Sequence, residues 1–381
     1  MAYFDNNSTT RPFDEVRELT AELFRSCWGN PSSPHQEGRK ARALVERARE
    51  EIAHALKVDP KNLIFTSGAT ESNNALLESV GGLGQMAKGR ALISAVEHPS
   101  MLEAIKRSFA GRVDLIPVNS SGRVQLDQFR ELFEKTRPSF VSMMAAHNES
   151  GVLQPWHKTA LFCKERNVWF HCDATQWIGK LDPAGLSDCS SFCFSGHKFG
   201  GPKGVGSLVS PIAAGWFLGG GQEMERRGGT ENVPGIEGMR MALKKILSSR
   251  HPIEQHRQWK EIFERKLLQN IPGTKIIGQD VPRLWNTSYM VLPEFDNLSW
   301  VTKLNKLGFS LSTGSACSTA RLQPSGLAPL IGLSQESAKR LVRVSSFYST
   351  TQEDWLSLAD AFKQAHGDLA IERDRSGVIS L

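Results

Sequence analysis

No uninterrupted apolar run in this chain approaches the length of a membrane span, which argues against a membrane-spanning helix. The first residues, Met1-Ala2-Tyr3-Phe4-Asp5-Asn6-Asn7, have neither the basic start nor the apolar stretch of a signal peptide. A cytoplasmic protein, not bound to membranes, is therefore expected. Long basic runs are missing too. The net charge is +6, but basic residues are scattered among acids, as in Glu46-Arg47-Ala48-Arg49-Glu50-Glu51. That pattern marks solvated helix faces, so direct nucleic-acid binding is not expected, whereas a mild positive field favours acidic protein partners. Cysteine is sparse: Cys27, Cys163, Cys172, Cys189, Cys193 and Cys317. In a cytoplasmic chain these are expected to be free thiols. Cys189 and Cys193 are four apart, but no second pair stands at zinc-like spacing, so no metal site is expected. Cys163, Cys172, Cys189 and Cys193 read as small buried hydrophobes. There is no internal repeat and no low-complexity tract.

Short apolar runs alternate with helical patterns through the first two thirds of the 381 residues. The runs around Asn62–Phe65, Ala91–Ser94, Val113–Val118, Ser139–Met144, Val168–Cys172 and Asp188–Phe194 read as strands. Helical patterns lie at 69–80 and at about 100–109. This is the rhythm of an α/β fold with an open, mostly parallel sheet. Functional groups then belong at the carboxyl ends of the strands. The pattern changes near residue 250, where an amphipathic helix from Glu254 to about Leu268 begins and strand-like segments follow at 275–277 and 286–291. The residues from Glu372 to Gly377 read as a frayed tail.

Ser195-Gly196-His197-Lys198 places a lysine between a strand and the glycine-rich run 199–206. A lone lysine in a loop is usually an exposed surface group. Held in a cleft, its amine becomes a nucleophile toward carbonyls. Four further strand ends carry polar groups. Thr66-Ser67-Gly68-Ala69-Thr70-Glu71 opens a helix whose free N–H groups suit an anion, although it also reads as a plain helix cap. His98 follows the Ala91–Ser94 strand and suits an aromatic cofactor or acid–base work; lone loop histidines usually do neither. Asn148 offers both donor and acceptor capacity. Asp173 ends an apolar strand, where a carboxylate wants a cationic partner such as a protonated pyridine nitrogen. A lysine for a Schiff base, an aspartate for a pyridinium, a glycine turn for a phosphate and a histidine over the ring together describe a pyridoxal 5'-phosphate site. Farther on, Ser312–Ala320 is a run of small residues around Cys317, with Pro324, Gly326 and Pro329 following. It reads as a mobile loop carrying an available thiol or, more plainly, an incidental one. Arg343 lies in a strand-like apolar run and suits a carboxylate.

On these residues the chain resembles the cysteine desulfurases of the NifS/IscS group, in the class V aminotransferase branch of pyridoxal-phosphate enzymes. The matching stretches are Asp5–Thr10, Gly29–Ser33, Phe65–Asn73, Glu97-His98, Asn148-Glu149, Asp173–Gln176, Ser195–Lys198, Gly228-Gly229-Thr230, Gly314–Cys317 and Arg343. The resemblance implies a fold-type I enzyme that converts L-cysteine to L-alanine and leaves a persulfide on Cys317 for an acceptor protein. It implies that Lys198 holds the cofactor and moves protons, Asp173 pairs with the pyridinium, His98 stacks on the ring and assists at the substrate thiol, and Gln176 bonds the phenolic oxygen. Thr70, Ser195 and His197 would hold the phosphate. Thr230 would reach the phosphate of a neighbouring subunit, which implies a homodimer. Asn148 and Arg343 would bind the substrate carboxylate.

The expected organisation is a large cofactor-binding domain over residues 14–250 and a smaller α+β domain from 1–13 and 251–381. The smaller one carries the cysteine loop at about 312–330. Sulfur donors of this kind serve iron–sulfur assembly, tRNA or cofactor thiolation and DNA sulfur modification. Alternatives on the same scaffold are a β-lyase or selenocysteine lyase, for which Cys317 is dispensable, and a silent sulfur-relay scaffold, against which Lys198, Asp173 and His98 speak. Several positions depart from the resembled pattern: His147 in place of asparagine, Ser150 in place of an aliphatic residue or threonine, Trp177 after Gln176, Phe347 near a usual glycine, and a short C-terminus. Trp177 is expected to reshape the wall of the site. The departures bear on the acceptor more than on the chemistry.

Overall fold

The computed structural model describes residues 1–82, 86, 88–212, 216–249, 252–314 and 326–378. Numbered in chain order, its strands are β1 (Ala2–Tyr3), β2 (Leu63–Thr66), β3 (Ala91–Ser94), β4 (Val113–Ile116), β5 (Phe140–Ser142), β6 (Trp169–Asp173), β7 (Ser191–Ser195), β8 (Gly206–Val209), β9 (Lys275–Ile276), β10 (Thr287–Val291), β11 (Phe309–Ser310) and β12 (Leu341–Ser345). The expected apolar runs near 62–66, 91–94, 140–142, 169–173 and 191–195 are therefore strands, each within a few residues of the sequence reading.

Seven strands form one sheet in the order β2-β8-β7-β6-β5-β3-β4. Neighbours from β7 to β4 are parallel, and β8 alone runs against both of its neighbours. The sheet is covered on both faces, which explains why β2, β3, β5, β7 and β8 are buried at every position. Alternate side chains serve opposite cores. Phe65, Leu92 and Phe192 join the core under the helices Asp14–Ser26, Gln36–Leu56 and Val233–Ser248. Ile64, Ile93 and Cys193 join the one under the helices Ala69–Gly81 and Pro99–Ser108. Cys27, Cys163, Cys172 and Cys193 are buried free thiols and Cys189 is half-buried.

A second, antiparallel sheet, β12-β10-β9, packs with the helices Ile253–Asn270, Asn297–Lys306 and Gln352–Val378 around Phe263, Trp300, Trp355 and Phe362. The N-terminal strand β1 pairs with β11, and Asp5 bridges to Ser345. The chain start is thereby carried to the edge where the two sheets meet. The stretch expected to fray, Glu372–Gly377, instead continues the Gln352–Val378 helix. Trp355, Leu358, Phe362, Ala365 and Leu369 seat that helix on the second core, and Arg373 pairs with Glu294 at 2.7 Å. Among the described residues no helix is long and apolar enough to cross a membrane, and no cluster of side chains could hold a metal ion.

Candidate active site

The parallel strands deliver their carboxyl ends to one edge, and most of the polar residues singled out in sequence meet there, Arg343 and Thr230 excepted. One cavity of about 140 Å³ is lined by Thr70, His98, Asn148, Asp173, Gln176, Ser195, His197 and Lys198, together with Ser100 and Thr175. Thr230 is not in it. It lies in a second cavity of about 100 Å³ with Ser67, Arg227 and Gly229. Cys317 lies outside the described residues.

Lys198 closes a short 3-10 turn, Gly196–Lys198, directly after β7. Its Nζ donates to the carbonyls of Asn7 and Ser8, both at 2.7 Å. The Asp5–Thr10 segment thus serves the site as a seat for the lysine, a role with no local signature. Asp173, at the tip of β6, is 5% exposed. Its oxygens accept from the Thr175 backbone N–H at 3.0 Å and from Asn73 Nδ2 at 3.1 Å, both neutral donors. Asn73 also donates to Ser100 Oγ at 2.9 Å, and Ser100 Oγ bonds His98 Nδ1 at 2.8 Å. A buried relay therefore joins the carboxylate to the histidine. Burial lowers the pKa of His98; Lys198 lowers it further and the Asp173 charge opposes this. Its imidazole is accordingly neutral near pH 7.

Gly68 caps the helix Ala69–Gly81 with φ of 152°, which lets the helix begin one residue after the turn from β2. The Ala69 N–H meets Ser195 Oγ at 2.8 Å, leaving that hydroxyl hydrogen for an anion. Glu71 accepts from the Ser67 N–H at 2.7 Å and pairs with Arg227 at 2.8 Å. Glu71 thus ties Ser67, the residue before the cap, to the first turn of the helix, while Gly68 itself caps it without a side-chain bond. His197 bonds Thr9 Oγ1 at 3.1 Å, and burial beside Lys198 and Lys203 brings its pKa down to about 4.

Arg343 is 1% exposed. Its guanidinium donates to the Asn148 carbonyl at 3.0 Å, Asp5 Oδ1 at 2.6 Å and Ser8 Oγ at 2.5 Å. Asp5 as the partner of Arg343 was not legible in sequence. The two departures His147 and Ser150 are one unit: His147 Nδ1 lies 3.1 Å from Ser150 Oγ and accepts from the Ser150 N–H at 3.2 Å. Trp177 does not reshape the cavity wall. Its ring stands edge-on to Trp156 at 5.2 Å, and its Nε1 donates to the Asp182 carbonyl. Phe347 packs on Phe13 at 5.7 Å and on Tyr348 at 5.0 Å, outside the cavity lining.

The model of the aminotransferase class-V family matches residues 2–358. The chain belongs to this family. It is 36% identical over 365 residues to a cysteine desulfurase of Sinorhizobium fredii, covering 92% of this chain and 93% of that one. A solved NifS-like protein superimposes with a TM-score of 0.87 at 31% identity, covering 96% of this chain and 99% of the other. SspA, solved in complex with cysteine, has a TM-score of 0.77 at 27% identity over 91% of this chain and 98% of its own. The desulfurases of the family work with pyridoxal 5'-phosphate, and the donor set fits that group. An amine, a buried carboxylate met by neutral donors, a hydroxyl at a helix N-terminus, and the Thr175 hydroxyl, buried without a partner, line one cavity.

The buried histidines also predict an acid limit. His147 and His171 both have pKa values near 4, lowered by burial. Their unfolded value is about 6.5. As pH falls from about 6.5 to about 4, the unfolded chain takes up protons that the folded one refuses, so stability is lost across that window, by up to about 3 kcal/mol per group. Glu97 works the other way, because burial and the Asp173 charge raise its carboxyl well above the usual range. His147→Asn is expected to keep more of its pH 7 melting temperature at pH 4.5 than the unaltered protein does. Equal losses in thermal melts of the two proteins would contradict this.

Proposed function

We propose that the protein is a cysteine desulfurase: it converts L-cysteine to L-alanine and leaves the sulfur as a persulfide on Cys317. The observation that carries this reading is the convergence of Lys198, Asp173 and His98 on one cavity at the carboxyl ends of β3, β6 and β7. Lys198 would hold the cofactor, and its amine would take the proton from the substrate Cα. When bound, the cofactor supplies an electron sink for the pair that this deprotonation releases. Asp173 would pair with the ring nitrogen and keep it protonated, and the Ala69–Thr70 turn with Ser195 and His197 would hold the phosphate. Asn148 and Arg343 orient the substrate carboxylate. The neutral imidazole of His98 takes the proton of the substrate thiol or returns it. The Cys317 thiolate attacks the substrate sulfur; the S–S bond forms as the C–S bond breaks and its electron pair passes to Cβ, and protonation at Cβ together with return of the Cα proton from Lys198 gives alanine.

The active form is a cytoplasmic homodimer, with residues 14–250 and the remainder as its two domains. Thr230, which lines a separate cavity, would serve the site of a neighbouring copy. Sedimentation of the cofactor-loaded protein is expected to show two chains, and a fully active monomer would contradict it. The persulfide passes to an acceptor protein, in iron–sulfur assembly or a thiolation pathway.

Incubation with L-cysteine, with alanine and sulfide measured together, tests the activity. Alanine with one extra sulfur atom on the peptide bearing Cys317 is expected. Pyruvate and ammonia without that modification would identify a β-lyase instead.

A further inference from the structure

Lys180 is a buried amine that the chemistry above does not use. It is 1% exposed. The preceding Gly179 has φ +79°, and a Cβ there would come within 2.2 Å of Phe199. Trp285 Nε1 donates to the Lys180 carbonyl at 2.8 Å and holds the backbone in place. The Lys180 Nζ donates to Asn7 Oδ1 at 2.7 Å and to Gln176 Oε1. Among the described residues no carboxylate forms a salt bridge with it. Burial, with the Lys198 and Arg343 charges nearby, drives its pKa well below that of an ordinary lysine.

Burying an amine against amide oxygens alone costs free energy, and an apolar side chain of similar volume would fill the space more cheaply. Its use must then lie in the two amides it touches. A primary amide has one acceptor end and two N–H donors. The Gln176 oxygen is taken by Lys180. One Gln176 N–H goes to the Asn7 carbonyl at 2.9 Å. The other is left for the cavity, which Gln176 lines. A flipped amide would set its oxygen against the Asn7 carbonyl and lose the Lys180 donor. Gln176 therefore presents only hydrogens to the cavity, the polarity that an anionic oxygen on the cofactor ring requires. The Asn7 carbonyl that takes Gln176 also takes the Lys198 amine at 2.7 Å. Lys180 thus holds the Gln176 amide directly and, through the Asn7 side chain, braces the residue whose carbonyl seats Lys198.

We propose that Lys180 is a positioning residue for the cofactor: it locks the Gln176 amide with its N–H side toward the ring oxygen and steadies the Asn7 carbonyl on which Lys198 rests. The proposal rests on the cofactor reading above. It is tested on the cofactor-loaded protein by following the visible absorption of the cofactor–Lys198 linkage against pH. A donor to the ring oxygen stabilises the form of the linkage that has lost its proton, so weakening that donor raises the pH of the colour change. Lys180→Met is expected to raise the midpoint by about one pH unit, the scale of one hydrogen bond. In a Gln176→Leu background the same substitution is expected to add nothing, because the effect travels through Gln176. An unchanged midpoint in Lys180→Met, or an equal shift in the Gln176→Leu background, overturns the proposal. If Lys180→Met does not fold, Lys180→Gln is titrated in its place. Failure of both to fold assigns Lys180 a purely structural role and also overturns it. Absence of any visible band in the unaltered protein is a different result: it would remove the cofactor reading itself.

Discussion

Lys198→Ala is expected to give a folded, colourless protein with no borohydride-trappable link between cofactor and chain. Lys198 belongs to no core cluster, so its loss leaves no cavity in packed apolar side chains. What disappears is the amine that the Asn7 and Ser8 carbonyls hold in the cavity. In the proposed function that one atom has two tasks, covalent attachment and proton transfer at the substrate Cα. General-base transfer alone contributes about 10²–10⁴-fold, so alanine formation is expected to fall by about 10⁴-fold or more. Circular dichroism should match the unaltered protein while the visible band is gone. The competing amine is Lys203, five residues on and exposed. A trapped adduct on Lys203, or a yellow Lys198→Ala protein, would overturn the assignment. A silent sulfur-relay scaffold would show no band before the substitution either.

Cys317→Ser is expected to keep the colour and the binding of L-cysteine but to lose alanine formation by about 10³-fold or more, the scale on which removal of an enzymic nucleophile acts. The described thiols are poor substitutes. Burial raises the pKa of Cys27, brings that of Cys163 to about 12 and lifts Cys172 and Cys193 well above the ordinary range. Since the thiolate is the nucleophile, these four are chemically quiet. Cys189 is half-buried, in the turn that leads into β7, at the opposite end of that strand from Lys198. Gly314, three residues before Cys317, packs against Tyr289 and lies near Glu149, the neighbour of Asn148 in the cavity wall. Mass spectrometry after brief exposure to L-cysteine should find the extra sulfur on the Cys317 peptide. Alanine formation at the unaltered rate in Cys317→Ser would sink the persulfide mechanism and favour direct elimination.

The α/β rhythm was legible because a strand buried on both faces must be apolar throughout, and such runs stand out between amphipathic helices. The strand-end groups His98, Asp173 and Lys198 were legible because a charged or titratable residue at the tip of an apolar strand needs a partner. The terminal helix was misread. Its last turns are mostly charged, and the contacts that hold it, from Trp355 to Leu369, lie upstream. Trp177 was misplaced because adjacent residues in a turn point in different directions: Gln176 faces the cavity and Trp177 faces Trp156.

The sequence by itself determined the element types and the set of chemical groups, since both follow from local pattern and residue identity. Only the tertiary structure decided which groups meet. Asp5 pairs with Arg343 across 338 residues of chain, and Lys180 reaches Asn7 across 173. It separated Thr230 from the main cavity and joined His147 to Ser150. Those outcomes depend on side-chain direction and on where distant segments cross, and no local pattern of residues encodes either.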